Sequence, residues 1–351
     1  MKKAAIITIY SRLNYGNRLQ NYAVQELLKE IDIEPLTIKN VSKFGAFRKK
    51  IDSDFKIGEQ ITTKNDLYQL KRNRFIEFNE EYLNLYEEDP NINNIEFNRK
   101  LKKYFDYFIV GSDQVWNYNI KSLSELNFLP NIESDNKIAF SASLSVDSIQ
   151  KEFESYYKEY LSKFKAISVR EEKAKEILER LLERKIDIVI DPILMLKKEE
   201  WEKIMKSPKE KINKKYILVY MISNEKPSIK NIESNIEIVD INSINSKYFL
   251  TDPSEFIYLL KNAEYIVTDS YHAAILSIIY NKKCRLYKRN NNYIGMNCRV
   301  DTIRNILLED NSNFEETEKY LDFIYKSNIY QNNKIKKEIE NGKKFLKKYV
   351  R

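Results

Sequence analysis

The chain has 351 residues, 42% hydrophobic and 32% charged, which is enough apolar material for real cores and too long for the usual single domain. Its formal net charge is +8, and seven lysines and Arg351 against Glu338 and Glu340 put most of that excess in the stretch 334–351, so the rest of the chain lacks the footprint of a nucleic-acid binder. Two cysteines and one histidine make neither a disulfide framework nor a zinc signature, and six scattered glycines exclude the clustered-glycine loops of dinucleotide and P-loop sites.

Short apolar runs read as strands at 4–9, 34–40, 105–112, 137–144, 166–171 and 187–192, and again at 215–222, 236–241, 264–270 and 284–289. Helical patterns lie between them at 19–31, 171–185, 253–263 and 273–281. That alternation predicts a parallel α/β architecture. The segment 40–104 breaks the rhythm with charged and aromatic residues and reads as an insertion into a first domain, 1–205. The lysine-rich stretch 206–214 is the expected linker, 215–330 the second α/β domain, and 331–351 a basic terminal helix able to return to the first. No apolar run approaches the roughly 18 residues of a membrane span, and the expected location is cytoplasmic.

In parallel α/β sheets ligands bind beyond the carboxyl ends of strands, and four stretches fall there. In "SRLNYGNRLQNYAVQ" (11–25), Gly16 lets backbone approach a ligand, while Asn14, Asn17, Arg18 and Gln20 offer donors suited to sugar hydroxyls or an anion; the plainer reading is a capped turn. In "IVGSDQVWN" (109–117), Ser112 and Asp113 end a strand and Trp116 could stack on a sugar face; the alternatives are capping residues and a core tryptophan. In "SVREE" (168–172), Arg170 at a buried strand end needs an anion or a salt bridge to Glu171, Glu172 or Asp191. In "VTDSYHAAILSIIYNKK" (267–283), Asp269 and Ser270 end a strand and His272, the one histidine, opens a helix whose amino end favours an anion. A histidine there can act as acid and base near neutral pH or be merely packed. Lys288, Arg289 and Arg299 follow as cationic candidates, with surface charge as their alternative.

"NYGNRLQNYAVQ", "FDYFIVGSDQVWN", "FKAISVREE", "IDPILML" and "VTDSYHAAILSIIYNK" together resemble the polysaccharide pyruvyl transferase family, in order from residue 4 to about 310. The chain departs from the family's pattern at Ala273, where glycine usually follows the histidine, and at "NKKC" (281–284), where Asn-Lys-Pro is common. The resemblance implies two Rossmann-like domains facing a cleft, as in GT-B glycosyltransferases. It implies transfer of the pyruvyl group of phosphoenolpyruvate, a co-substrate, to two hydroxyls of a sugar in a surface polysaccharide precursor, often lipid-linked. The products are a cyclic ketal and phosphate, and neither a redox cofactor nor a metal is required.

On that resemblance His272 is the expected acid and Arg170 its catalytic partner on the donor's anion, with Asp269, Ser270, Lys288, Arg289 and Arg299 on the donor side. Asn14, Gly16, Asn17, Gln20, Ser112, Asp113 and Trp116 are expected on the acceptor side. A GT-B nucleotide-sugar glycosyltransferase is the competing enzyme reading, and a non-catalytic scaffold the third. The basic tail and "KFGAFRKK" (43–50) suggest an anionic membrane surface as a partner, peripheral on the inner face of the plasma membrane.

Overall fold

The computed structural model describes residues 1–10, 13–39, 66–86, 95–120, 123–223, 225–229, 236–289, 298–309 and 312–350, with backbone alone at 95, 298, 299 and 309. The stretch 43–50, most of the expected insertion before residue 66, and the side chain of Arg299 lie outside what is described.

The first sheet has seven strands: β1 (Lys2–Ile7), β2 (Ile33–Ile38), β3 (Leu85–Tyr86), β4 (Tyr107–Val110), β5 (Lys137–Ala142), β6 (Ala166–Val169) and β7 (Asp187–Ile188). Their order is β3-β2-β1-β4-β5-β6-β7, and every pair is parallel. The helices of this half are α1 (Tyr15–Lys29), α2 (Asp66–Tyr82), α3 (Ile95–Tyr104), α4 (Lys151–Leu161), α5 (Glu172–Leu182), α6 (Pro192–Met195) and α7 (Lys198–Lys203). Central strands such as β4, "YFIV", are buried at every position, which is why they read as unbroken apolar runs rather than as alternation.

Residues 206–214 carry neither helix nor strand. The second sheet then contains β8 (Tyr216–Tyr220), β9 (Glu237–Asp240), β10 (Tyr265–Thr268), β11 (Lys283–Tyr287), β12 (Phe314–Glu316) and β13 (Tyr320–Phe323), in the order β12-β13-β11-β10-β8-β9. Strands β9-β8-β10-β11 are parallel, and β13 and β12 add an antiparallel edge that strand propensity did not reveal in the polar run after residue 312. Helices α8 (Pro253–Asn262), α9 (Tyr271–Ile279), α10 (Cys298–Glu309) and α11 (Asn333–Tyr349) complete this half. Both orders are doubly wound: the direction of winding reverses between β1 and β4 in one sheet and between β8 and β10 in the other, which opens a crevice at each carboxyl edge.

Helix α1 lies between the two halves and is buried along almost its whole length, although it is rich in polar side chains. Several of those side chains find hydrogen-bond partners inside the protein. Gln20 Nε2 donates to Thr8 Oγ1 at 2.9 Å, Gln25 Nε2 to Thr37 Oγ1 at 2.9 Å, and Thr37 Oγ1 to Asn21 Oδ1 at 2.8 Å. Tyr15, at the start of α1, stacks on Phe256 with ring centres 4.6 Å apart, touches Phe75 and Tyr220, and donates its hydroxyl to Thr251 O at 2.9 Å. One apolar core therefore runs through both halves. Helix α11 returns to the first sheet: Phe345 stacks on Phe140, Gly342 sits against Met195 and Val189, and Lys343 pairs with Glu30 at 2.5 Å. Among the described residues no helix is long and apolar enough to cross a membrane.

Candidate active site

The two carboxyl edges meet around a cluster of buried charge. From the first half, β4 runs into Gly111, whose φ of +117° and close approach to Phe140 O leave no room for a side chain, and the turn delivers Asp113. Strand β6 ends in Arg170 and Glu171, and β7 leads to Asp191, which caps α6 by accepting from Ile193 N at 3.0 Å. From the second half, β10 ends in Asp269, and Ser270 caps α9, which places His272 in its first turn.

Arg170 is the hub. Its Nη1 donates to Asp191 Oδ2 at 2.6 Å, its Nη2 to Asp113 Oδ1 at 3.1 Å, and its Nε to Glu171 Oε1 at 3.2 Å, while its guanidinium lies 4.9 Å from the Tyr271 ring centre. The side chain is 1% exposed. Burial opposes the charge, but Asp191, Asp113 and Glu171 more than offset it and hold the guanidinium well above its ordinary pKa. Asn17 Nδ2 donates to the other oxygen of Asp113, and Ser143 Oγ donates to Glu171. Arg170 was expected to hold the donor's anion; instead its charge is already matched by three carboxylates, the salt-bridge alternative on a larger scale.

His272 enters this cluster from the other half. Its Nε2 stands 3.5 Å from Asp191 Oδ2 and 3.4 Å from Arg170 Nη1. A guanidinium only donates and a carboxylate only accepts, so a neutral Nε2 is served by Arg170 and a protonated Nε2 by Asp191. The same pocket thus suits both states of the ring. Burial works to raise the Asp191 carboxyl, but the hydrogen bond and charge of His272, followed by Arg170 and the Ile193 N–H, hold it well below the usual carboxylate range. The other side of the imidazole rests on Gly16: a Cβ there would stand 2.2 Å from His272 Nδ1. The glycine that seemed free to approach a ligand is approached by the histidine.

The remaining predicted residues separate into three groups. Asn14 caps α1 by accepting from Asn17 N at 3.2 Å, and Asn17 holds Asp113; these belong to the wall of the cluster. Gln20 and Ser112 lie beneath it, Gln20 on Thr8 and Ser112 donating to Ser141 O at 3.0 Å. Trp116 is a correction. It is fully buried, donates its indole N–H to Asn127 O at 3.0 Å and packs edge-on to Phe164, so it presents no face to a sugar; its size won it the core.

On the second half, Asp269 accepts from the backbone N–H groups of Ile222 at 2.6 Å and Ser223 at 2.8 Å, fixing the turn after β8. Arg289 reaches back to Asp269, with Nε 3.4 Å from Oδ2 and Nη2 donating to the backbone O at 3.2 Å. Lys288 pairs with Glu316 at 2.7 Å. Sequence reasoning named Asp191 only as a candidate salt-bridge partner of Arg170, a pairing the structure shows, and gave Tyr271 no role. The signal for Asp191 was present: an aspartate before proline at a strand end marks a capped helix start, but nothing in spacing says that such a cap faces a histidine 81 positions away.

Beside the cluster, between the two halves and the amino end of α11, lies a cavity of about 430 Å³, bounded by Arg170, Glu171, Asp191 and Tyr271 on its inner side.

A family model described as polysaccharide pyruvyl transferase matches residues 14–291. No curated protein sequence matches the chain. Among solved structures, UDP-GlcNAc 2-epimerase from Neisseria meningitidis, bound to UDP-GlcNAc, is similar at 13% identity and a TM-score of 0.44, over 100% of this chain and 99% of that one. UDP-GlcNAc 2-epimerase from Methanocaldococcus jannaschii is similar at 15% identity and a TM-score of 0.43, again over 100% and 99% of the two chains. Likeness at that level says nothing of what this chain binds.

Proposed function

The chain belongs to the polysaccharide pyruvyl transferase family, and from that premise we propose that it moves the pyruvyl group of phosphoenolpyruvate onto two hydroxyls of one sugar, giving a cyclic ketal and phosphate. The match over residues 14–291 carries this reading, because it spans Gly16, Asp113, Arg170, Asp191, His272 and Arg289.

In the proposed mechanism His272 gives a proton to the methylene carbon of phosphoenolpyruvate, leaving positive charge on the carbon that bears the phosphate. One sugar hydroxyl adds to that carbon and returns its proton to the imidazole. The bond to phosphate then breaks, the cationic centre forms again, and the second hydroxyl closes the ring, its proton leaving with phosphate. Asp191 steadies the protonated ring, and Arg170 and Asn17 hold the carboxylates in place. For the donor's phosphate and carboxylate, the amino end of α9 and Arg289 at its foot are better suited than Arg170, which already faces three carboxylates.

A lipid-linked acceptor is part of the same reading. Helix α11 buries Ile335, Gly342, Phe345 and Leu346 and exposes Lys336, Lys337, Lys344, Lys347 and Lys348, a basic face suited to an anionic membrane surface. Co-sedimentation with phosphatidylserine vesicles at low salt tests it; protein left in the supernatant would dismiss that contact.

The reaction itself is tested by incubating wild-type protein with phosphoenolpyruvate and a panel of glycosides in D₂O. The reading predicts a product heavier by pyruvate less water, with one deuterium in its new methyl group, and no such product from His272→Gln. Glycosyl transfer from a nucleotide sugar in the same assay would replace it.

A further inference from the structure

We propose that Gly342 of α11 is a positioning residue for the buried charged pair: it seats the short helix α6 and through it holds Asp191 against His272. The inference reaches beyond the residues of the cluster itself, and it rests on the pyruvyl-transfer reading only for the proton that His272 moves.

The connection starts at α6, a single turn of four residues with Pro192 at its opening. Asp191 caps that turn at one end and Met195 closes it at the other, ~6 Å away along the helix axis. The two oxygens of Asp191 are divided between the turn and the cluster. Oδ1 accepts from Ile193 N at 3.0 Å, which ties the side chain to the backbone of α6. Oδ2 accepts from Arg170 Nη1 at 2.6 Å and stands 3.5 Å from His272 Nε2. A tilt of the turn therefore carries Oδ2 with it. At 3.5 Å the contact with the imidazole lies at the outer limit of a hydrogen bond, so a small displacement decides whether it serves the protonated ring.

From the front, the first sheet fixes the turn. Val189 N donates to Val169 O at 2.9 Å, and Ser141 Oγ on β5 donates to Val189 O at 3.2 Å and Ile190 O at 3.1 Å. Behind it stands the last part of the chain. Tyr330 Oη donates to Leu196 O at 2.5 Å, and Gly342 lies so close that a Cβ there would stand 2.6 Å from Met195 Cε, 3.0 Å from its Sδ and 3.2 Å from Val189 Cγ1. Met195 and Val189 are each 2% exposed, so both side chains are hemmed in by a packed core. Gly342 sits in the interior of α11, where glycine is disfavoured by its own backbone freedom, and the close seat on Met195 is the packing reason for it. Helix α11 is anchored to the first half on either side of this contact's neighbourhood by Lys343 on Glu30 and Phe345 on Phe140. A side chain at position 342 must push on the segment 189–195 or lift the helix off those anchors.

His272 is the one histidine of the chain, so its imidazole nitrogen-15 signals identify themselves. The test records them at a single pH in wild type, Asp191→Asn, Gly342→Ala and Gly342→Val. Both Gly342 variants are also combined with Met195→Ala, which removes two of the three close atoms. The expected result is a displacement of the signals toward those of Asp191→Asn, larger for Gly342→Val than for Gly342→Ala, and its return toward wild type when Met195→Ala is added. Turnover should fall about three- to tenfold in Gly342→Val with phosphoenolpyruvate affinity within about twofold, since the change touches the proton and not the donor's anion. A merely structural glycine would lower the melting temperature and leave the imidazole signals in place. Signals unchanged in every folded Gly342 variant, or displaced and not returned by Met195→Ala, would overturn the assignment. If Gly342→Val does not fold, Gly342→Ala decides alone. The spectra need no substrate, so the expected displacements in a protein that forms no ketal would strike at pyruvyl transfer and leave the link from Gly342 to His272 standing.

Discussion

The carboxyl edges of the two sheets do opposite things with their charged residues. The edge of the first sheet buries Asp113, Arg170, Glu171 and Asp191 and locks them to one another. The edge of the second spends Asp269 on the backbone of Ile222 and Ser223 and contributes one imidazole, which finds its polar partners on the other half. The first edge is a prebuilt charged socket, and the second carries the group that fills it. The charged cluster around His272 therefore exists only where the halves meet, and damage to one edge should differ in kind from damage to the other.

The sharpest break is at His272. His272→Gln removes the proposed proton donor and should cut turnover by about 10²- to 10⁴-fold while leaving the melting temperature near that of wild type. A residual rate close to wild type would move the acid elsewhere. Arg170→Ala should do the reverse in emphasis: three carboxylates lose their buried counter-charge, and stability should fall by roughly 3–5 kcal/mol in denaturant titrations. Arg170→Lys should recover only part of this, because one ammonium cannot serve three partners in the plane of a fork.

Gly16→Ala sharpens the comparison at the contact itself. A methyl group 2.2 Å from His272 Nδ1 must displace the ring or part the halves, at a cost of about 1–3 kcal/mol and with a fall in turnover beyond what stability explains. Asp191→Asn keeps the shape but loses the charge that supports the protonated ring, so turnover should drop at least about tenfold with phosphoenolpyruvate affinity little changed. Because the Asp191 carboxyl is held down in the folded state, its stabilisation is complete above the ordinary carboxylate range and is lost as pH falls through its lower folded value. The stability gap between wild type and Asp191→Asn should thus narrow as pH falls below the ordinary carboxylate range.

The smallest effect concerns how the halves are held together. Lys71 on α2 donates to Ile241 O at 2.7 Å across the boundary, and burial lowers its pKa to about 8. The unfolded chain keeps that proton up to about pH 10.4, so wild-type stability should rise with pH between about 8 and 10.4 relative to Lys71→Met. A pH-independent difference would mean that Lys71 titrates normally.

Much of this was legible in the residues. Alternating strand and helix patterns place both sheets, because period and run length survive any tertiary arrangement, and the carboxyl-end rule points at Gly16, Asp113, Arg170 and His272. What sequence does not carry is pairing across space. Arg170 at a strand end demanded a partner, yet only the fold makes three carboxylates converge on it. Trp116 beside a site turn is indistinguishable from a core tryptophan until its indole N–H is seen on Asn127. The short strands β12 and β13 lie in a polar run and form because they complete the edge of β11.

The central claim, a pyruvyl donor bound beside His272, is tested most directly by calorimetric titration of wild-type protein with phosphoenolpyruvate and, separately, with UDP. No acceptor is needed. Saturable binding of phosphoenolpyruvate, with UDP silent, is the result predicted here. Saturable binding of UDP with phosphoenolpyruvate silent would contradict it and turn the site over to a nucleotide sugar.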